Sequence, residues 1–110
     1  MSYGVASQVK KYTPEGYDSS KPLIPHGMSV ILNAPAVFRF TAPAAIERHR
    51  TAAKVLGAEN ADQAKDDKVG DLVADRIINL MSTVKFPGGL RQVGFTESDV
   101  KNNSPLFLCL

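Results

Sequence analysis

Apolar side chains recur at helical spacing in the middle of the chain and are sparse near its beginning. The clearest run lies in residues 66–84, and its apolar positions are Val69, Leu72, Val73, Ile77, Leu80, Met81 and Val84. This spacing places the apolar side chains on one face of a helix. The pattern therefore predicts an amphipathic helix over residues 66–84, and we expect Pro87-Gly88-Gly89 to stop it.

A second apolar stretch, residues 26–40, is dense enough in apolar side chains for a largely buried helix. Pro35 falls inside this stretch. A proline there lacks the backbone donor and clashes with the preceding helical turn. The sequence therefore predicts a kink or a break near Leu32 to Ala34.

Residues 43–56 have the features of a third helix, with Pro43 in the first turn and Gly57 suited to a left-handed C-cap. Polar and apolar positions interleave along it, as expected for a helix with one face in water. The polar positions predicted to face solvent are Glu47, Arg48, His49, Arg50 and Lys54.

The two ends of the chain show less regular patterning. Residues 1–25 contain three prolines and no sustained apolar period, which indicates extended loop with at most a helical turn around Val5 to Val9. Near the other end, Leu90 to Val93 fits one helical turn, and Thr96-Glu97-Ser98-Asp99 resembles a capping box that starts a short helix. No alternation long enough for a strand is present.

These elements predict an all-α chain in three parts. Residues 1–25 form a loop segment with little regular structure, residues 26–104 a partial helical domain, and residues 105–110 a divergent apolar tail. A chain of 110 residues has room for one domain at most.

Composition narrows the class of protein. The chain is 44% hydrophobic and 22% charged, close to the average for globular domains, and no apolar run approaches the roughly 20 residues of a membrane span. Its net charge of +2 is spread without blocks of one sign, which argues against nucleic acid or membrane as a partner. Met1 to Lys11 lacks the apolar centre of a secretory signal, and the single Cys109 excludes an internal disulfide.

Two histidines are candidates for metal chemistry. His26 lies in Pro-His-Gly at the junction of loop and buried helix, where an imidazole can be held rigidly. A transition metal needs about four ligands, and the sequence has no HxxxH, HxH or CxxC pattern to supply them. His49 lies among charged residues, so we expect it on a solvated helix face.

Other polar groups have simpler explanations than a site. The carboxylates of Asp66, Asp67, Asp71 and Asp75 are expected on a solvated face with Lys65, Lys68 and Arg76 nearby. Gly88-Gly89 lacks the lysine of a phosphate-binding loop, and Cys109 has no neighbour in sequence that would lower the pKa of its thiol. The residues alone assign no catalytic group.

One stretch, however, resembles a known family. Residues 25–32 read Pro-His-Gly-Met-Ser-Val-Ile-Leu, followed by Ala34-Pro35-Ala36-Val37-Phe38 and Phe40-Thr41. This stretch is similar to the iron-containing alcohol dehydrogenases, and most of all to their mitochondrial hydroxyacid-oxoacid transhydrogenase branch. Weaker matches follow in order at Glu47-Arg48-His49, Leu56-Gly57-Ala58, Leu72-Val73-Ala74-Asp75, Gly89-Leu90 and Val93-Gly94-Phe95.

The resemblance implies a fold and one site residue. In that family an α/β domain binds NAD, and an all-helical C-terminal domain supplies most of a metal site made of one aspartate and three histidines. The histidine of the Pro-His-Gly motif is the last of these ligands, which makes His26 the implied metal ligand here. The preceding histidine of the family lies in a His-Gly pair just before the Met-Ser-Tyr segment, and the other ligands and the dinucleotide loop lie further upstream. None of them is found in this chain.

The long connection from Val9 to Leu23 resembles the transhydrogenase branch, whose members pass hydride from a hydroxyacid such as 4-hydroxybutyrate to an oxoacid such as 2-oxoglutarate. The implied cofactors are iron or another divalent metal and NAD, and we expect neither to bind well to this chain alone. We therefore expect an inactive fragment of a mitochondrial enzyme, although the chain itself has no transit peptide. The alternatives are another iron-type alcohol dehydrogenase, or a non-catalytic helical protein that binds full-length subunits or itself.

Overall fold

The computed structural model describes residues 2–102, with side chains given for residues 3–99. The predicted tail at 105–110 and Cys109 lie outside the described residues. Helices account for all the regular structure in residues 2–102, in agreement with the all-α prediction. They are α1 Ser2–Ser7, α2 His26–Ile31, α3 Ala34–Thr41, α4 Ile46–Val55, α5 Val69–Thr83 and α6 Glu97–Asn102, with 3₁₀ turns at Ala42–Ala44, Asp66–Lys68 and Leu90–Val93.

The chain divides into two compact units. Unit 1 contains the residues up to Asn33 together with those from Pro87 onward, and unit 2 is Ala34–Phe86. The boundary at Asn33 falls within the predicted break, since α2 ends at Ile31 and α3 begins at Ala34. Pro35 occupies the first turn of α3, where its missing donor costs no helical hydrogen bond. The proline thus starts a new helix instead of kinking an existing one.

Unit 1 packs α1 against α2 and carries the loop that joins them. Its buried apolar residues are Val5, Ile24, Met28, Leu32, Val93 and Phe95. The loop between the helices is closed at its neck, where the Leu23 amide donates to the Tyr12 carbonyl at 2.8 Å and the Thr13 hydroxyl donates to the Lys21 carbonyl at 2.9 Å. Helix α1 begins earlier than the helical turn predicted at Val5 to Val9.

Unit 2 is built on α5, which packs against both α3 and α4. Four of the seven predicted apolar positions are buried, namely Val69, Val73, Ile77 and Met81, and Gly70 and Ala74 complete the buried face of α5. Leu80 and Val84 are about half-exposed, contrary to the prediction. Gly70 allows the helices to approach closely, because a Cβ placed there would lie 2.8 Å from Ala42 Cβ and 3.2 Å from Arg39 Cα. A side chain at position 70 would therefore push α3 away from α5.

Both long helices of unit 2 end in the same backbone motif. After α4, the Ala58 amide donates to the Ala53 carbonyl and Gly57 adopts the predicted left-handed conformation, with φ of +86°. After α5, the Phe86 amide donates to the Met81 carbonyl and Lys85 takes the left-handed position, with φ of +58°. The helix ends at Thr83, within one residue of the predicted Val84, and Lys85 turns the chain before Pro87-Gly88-Gly89 is reached.

Candidate functional site

His26 is the first residue of α2 and its side chain is exposed. Pro25 precedes it in an extended conformation, so the chain turns into the helix at the imidazole. The Ser29 hydroxyl, which is fully buried, donates a hydrogen bond of 2.7 Å to the His26 carbonyl. This bond fixes the backbone of the first turn, from which the exposed imidazole projects.

The ring of Tyr3, on α1, packs against the ring of His26. The ring centroids are 5.3 Å apart and the planes are inclined by 34°. Neither ring nitrogen of His26 forms a hydrogen bond with another residue in the described part of the chain. Both nitrogens therefore remain available to a ligand.

His49 is buried, with 8% of its surface exposed, and the prediction of a solvated histidine is wrong. Its Nδ1 lies 2.8 Å from the Ala45 carbonyl oxygen, and its Nε2 lies 2.9 Å from the Thr41 hydroxyl. The ring edge also meets Phe38, with centroids 5.7 Å apart. Because both nitrogens already have partners inside unit 2, His49 serves to join α4 to α3.

Arg50 was also expected in solvent, yet its side chain is only 12% exposed. Its guanidinium donates to the carbonyls of Ala61 and Ala64 and to the Asp66 carboxylate. These bonds fasten the connection that follows α4. The charge pattern of α4 predicted that Arg50 faces solvent. That pattern contains no information about the Ala61 and Ala64 carbonyls, which lie 11 and 14 positions further along the chain.

The carboxylates of α5 remain solvated, as predicted. The side chains of Asp71 and Asp75 are 49% and 64% exposed, and both accept hydrogen bonds from the Arg39 guanidinium, at 2.9 and 3.3 Å. The positive charge that faces Asp71 and Asp75 is therefore Arg39 of α3, and not Lys65 or Lys68 as the sequence suggested. Across the side chains that the structure describes, no three histidine, cysteine or acidic residues are grouped closely enough to hold a metal ion.

Asp99, at the start of α6, is the acidic group most changed by its surroundings. The side chain of Lys10 donates to Asp99 Oδ1, and Asp99 Oδ2 accepts hydrogen bonds from the Thr96 hydroxyl and amide at 2.7 and 2.8 Å. The Lys10 bond, followed by those from Thr96, lowers the pKa of Asp99 from 3.8 to about 2. The capping-box spacing of Thr96 and Asp99 predicted the bonds between these two residues. No feature of the sequence predicted the bond from Lys10.

Within the described side chains, the exposed imidazole of His26 has no second histidine, cysteine or acidic group arranged with a third to hold a metal ion. An exposed ring with two free nitrogens fits one coordination position of a transition metal. It does not fit a complete site, which needs about four donors. Over the described residues, none of the helices has the length and apolar character needed to cross a membrane.

A family model and similar curated proteins point to the same family. A model of the "Fe-containing alcohol dehydrogenase family, C-terminal" matches residues 20–105. The chain is 50% identical over 101 residues to a probable mitochondrial hydroxyacid-oxoacid transhydrogenase of Dictyostelium discoideum, covering 91% of this chain and 18% of that protein. It is 42% identical over 100 residues to the mitochondrial transhydrogenase of Xenopus tropicalis, and 38% identical over 100 residues to that of Homo sapiens, each covering 91% of this chain and 21% of the relative.

The chain thus spans about a fifth of the length of these relatives, since it covers 18 to 21% of each. The matched region includes the Pro-His-Gly segment and most of both units. No solved structure matches the chain.

Proposed function

Since the chain belongs to the Fe-containing alcohol dehydrogenase family, we propose that it forms part of the metal-binding helical domain of a hydroxyacid-oxoacid transhydrogenase, with His26 as a metal ligand. The observation that carries the proposal is the 50% identity over 101 residues to a protein of that name. The exposed His26 ring, with both nitrogens free, supports the assignment of the ligand. His49 is no candidate, because its two nitrogens are bonded inside unit 2.

In this proposal His26 contributes a nitrogen lone pair to iron or another divalent metal. The remaining donors and the NAD site come from residues outside this sequence. A divalent ion in such a site polarises the oxygen of the alcohol or ketone substrate. One imidazole cannot retain such an ion with useful occupancy, so the 110-residue chain alone is inactive.

The proposed substrates follow the names of the relatives. Those names give the substrate classes, from which we infer hydride transfer from a hydroxyacid to an oxoacid. The family resemblance of the sequence implies 4-hydroxybutyrate and 2-oxoglutarate as examples and NAD as the hydride carrier. The mitochondrial location given in those names is proposed for the longer polypeptide as well. No nucleic acid or membrane partner is part of the proposal.

A segment exchange tests both the family role and the ligand. The region of the Dictyostelium discoideum relative that matches this chain over 101 residues is replaced by the corresponding residues of this chain. We expect the chimera to oxidise 4-hydroxybutyrate with 2-oxoglutarate as acceptor. His26→Ala in the chimera should lower kcat/KM by about 100-fold or more and reduce bound metal, because a ligand of the catalytic ion is lost.

Val30→Ala is the matched control, since Val30 lies one helical turn after His26 and is half-exposed. It should leave metal content and turnover close to those of the unmodified chimera. A chimera that keeps its metal and its activity after His26→Ala would refute the ligand assignment. A chimera that oxidises simple alcohols but not hydroxyacids would instead favour another iron-type alcohol dehydrogenase.

The isolated chain has its own test. The purified 110-residue protein, supplied with Fe²⁺ and NAD, should show no oxidation of 4-hydroxybutyrate above the rate without protein. Turnover that disappears in His26→Ala would contradict the proposal that the chain is inactive alone.

A second candidate is a binding role without catalysis, which the exposed apolar side chains of unit 2 favour. Phe40 is 70%, Val55 is 81% and Leu80 is 53% exposed, so these apolar side chains are accessible to a partner. The partner would be a full-length subunit or a second copy of the chain. Size-exclusion chromatography with the Dictyostelium discoideum relative tests this role, and a monomer that never co-elutes with it counts against binding.

A further inference from the structure

We propose that Tyr3 is a positioning residue for His26: its aromatic ring holds the imidazole in one orientation and leaves both ring nitrogens open to a ligand. This inference rests on the proposed function, in which His26 is a metal donor. It assigns a role to Tyr3, which the sequence analysis placed in a loop segment with little regular structure.

The two rings are carried by helices that are anchored to each other. Helix α1 packs on α2, Val5 of α1 has no exposed surface, and Ser29 of α2 is likewise fully buried. The hydrogen bond from Ser29 to the His26 carbonyl fixes the backbone from which the imidazole projects. The relative position of the Tyr3 and His26 backbones is therefore set by packing, and the ring contact follows from it.

The ring geometry is that of an attractive aromatic pair. A centroid distance of 5.3 Å lies within the range of about 4.5 to 7 Å over which tilted and offset aromatic pairs attract each other. Tyr3 is 78% exposed, so its ring contributes little to the buried interior of unit 1. Replacing the Tyr3 side chain should consequently disturb the His26 ring more than it disturbs the fold.

A contact through the ring face differs from the usual way of holding a metal-binding histidine. Such histidines commonly donate a hydrogen bond from the second nitrogen to a carboxylate or carbonyl, which uses that nitrogen. Among the described residues no such partner reaches His26. The Tyr3 contact restricts rotation of the imidazole without occupying either nitrogen, so the ring is ordered before a ligand arrives.

Nuclear magnetic resonance on the full 110-residue chain tests this role, with Ni²⁺ alone as the metal probe. In the wild type we expect nuclear Overhauser contacts between the ring protons of Tyr3 and His26, and selective broadening of His26 signals by Ni²⁺. Tyr3→Leu should abolish the ring-current shift at His26 and raise the Ni²⁺ concentration for half-broadening about threefold, because the freed ring must be ordered on binding.

Tyr3→Phe is the matched variant, since it keeps the ring and removes only the hydroxyl. It should restore both the shift and the Ni²⁺ response of the wild type. The methyl signals of Val5 and Val93, which are buried in unit 1, report whether unit 1 is folded in each variant.

The outcomes separate the two proposals. Equal Ni²⁺ responses in the wild type and Tyr3→Leu would leave the donor role of His26 intact and overturn positioning by Tyr3. His26 signals that ignore Ni²⁺ in every variant, while the ring contact persists, would overturn the donor role and with it the positioning role.

Discussion

Lys10 and Asp99 are separated by 89 positions in the sequence, and the ammonium group of Lys10 donates directly to Asp99 Oδ1. The contact joins the segment after α1 to the first turn of α6, inside unit 1. Asp99 is 7% exposed and also accepts two hydrogen bonds from Thr96. The charged form of Asp99 is therefore the form that the folded unit stabilises.

This relationship predicts a specific acid sensitivity. The pKa of Asp99 is lowered from 3.8 to about 2 in the folded chain, so the folded state favours the ionised carboxylate. The stabilisation is complete above the ordinary pKa and is lost as the pH falls through the folded pKa, which gives a window from about pH 4 to about pH 2. Urea unfolding followed by circular dichroism at intervals from pH 6 to pH 2 should show the stability falling in that window.

Lys10→Met provides the control for the acid effect. Removing the ammonium group should move the pKa of Asp99 back towards 3.8, as read from the carboxyl carbon shift in a pH titration. The loss of stability that Asp99 causes should then be smaller, and it should be complete at a higher pH than in the wild type. An Asp99 pKa that stays near 2 without Lys10 would show that Thr96 alone is responsible.

A second prediction concerns the closest approach between α3 and α5. Gly70→Ala should destabilise the chain by about 1 to 3 kcal/mol, because the added Cβ would lie 2.8 Å from Ala42 Cβ and 3.2 Å from the Arg39 backbone. Gly27→Ala is the matched control, since Gly27 is also helical and a Cβ there meets nothing within 4 Å. That substitution should stabilise α2 by about 0.5 to 1 kcal/mol. Equal unfolding midpoints for the two variants would contradict the close packing at Gly70.

The elements that the sequence predicted well are those whose signal is local. The apolar period of α5, the break near Pro35 and the left-handed Gly57 all depend on residues within a few positions of one another. The Thr96 to Asp99 capping contact was predicted for the same reason. Other helix ends were less accurate. Helix α1 spans Ser2–Ser7 where a turn at Val5 to Val9 was predicted, and α4 begins at Ile46 where Pro43 was predicted.

The candidate site was predicted only in part, and the reason is distance along the chain. The Pro-His-Gly resemblance identified His26, but the Tyr3 ring that packs on it comes from 23 positions earlier in the sequence. Likewise, His49 looked solvated among charged neighbours, whereas its ring is buried and contacts Thr41 and Phe38 of α3. Long-range contacts of this kind leave no periodic signal in one sequence.

The left-handed Lys85 offers a third prediction. A residue with a Cβ at φ of +58° carries a backbone strain of about 1 kcal/mol in the folded chain. Glycine removes this strain, but it also makes the unfolded chain more flexible, which offsets part of the gain in stability. Lys85→Gly should therefore raise the stability of unit 2 by about 0.5 kcal/mol, measured by urea unfolding. Lys85→Ala keeps the strained backbone and should change little. A destabilised Lys85→Gly variant would mean that the lysine side chain has a stabilising role of its own.

The fourth prediction concerns which ring nitrogen of His49 carries the proton, and it follows from the hydrogen bonds of the ring to Ala45 and Thr41. The Ala45 carbonyl can only accept a hydrogen bond, so Nδ1 of His49 must carry the proton in the neutral ring, and Nε2 then accepts from the Thr41 hydroxyl. That hydroxyl also donates to the Val37 carbonyl oxygen at 2.9 Å, so its single proton is shared between two acceptors when the ring is neutral. Nitrogen-15 shifts of the neutral form should identify the Nδ1-protonated tautomer, and a Nε2-protonated ring would contradict this arrangement.

Thr41, Thr51 and Thr83 each donate from the hydroxyl to the carbonyl one helical turn earlier. Of these three hydroxyls, that of Thr41 also contacts a buried histidine, His49. Thr41→Val should cost about 1 to 3 kcal/mol, because Nε2 of the buried His49 loses its partner. Thr51→Val is the matched control, since the Thr51 hydroxyl bonds the Glu47 carbonyl at 2.9 Å on the exposed side of α4 and has no histidine beside it. We expect that variant to unfold within about 0.5 kcal/mol of the wild type. If both substitutions cost the same, the hydroxyl of Thr41 does not stabilise the buried imidazole, and His49 must be held by Ala45 and Phe38 alone.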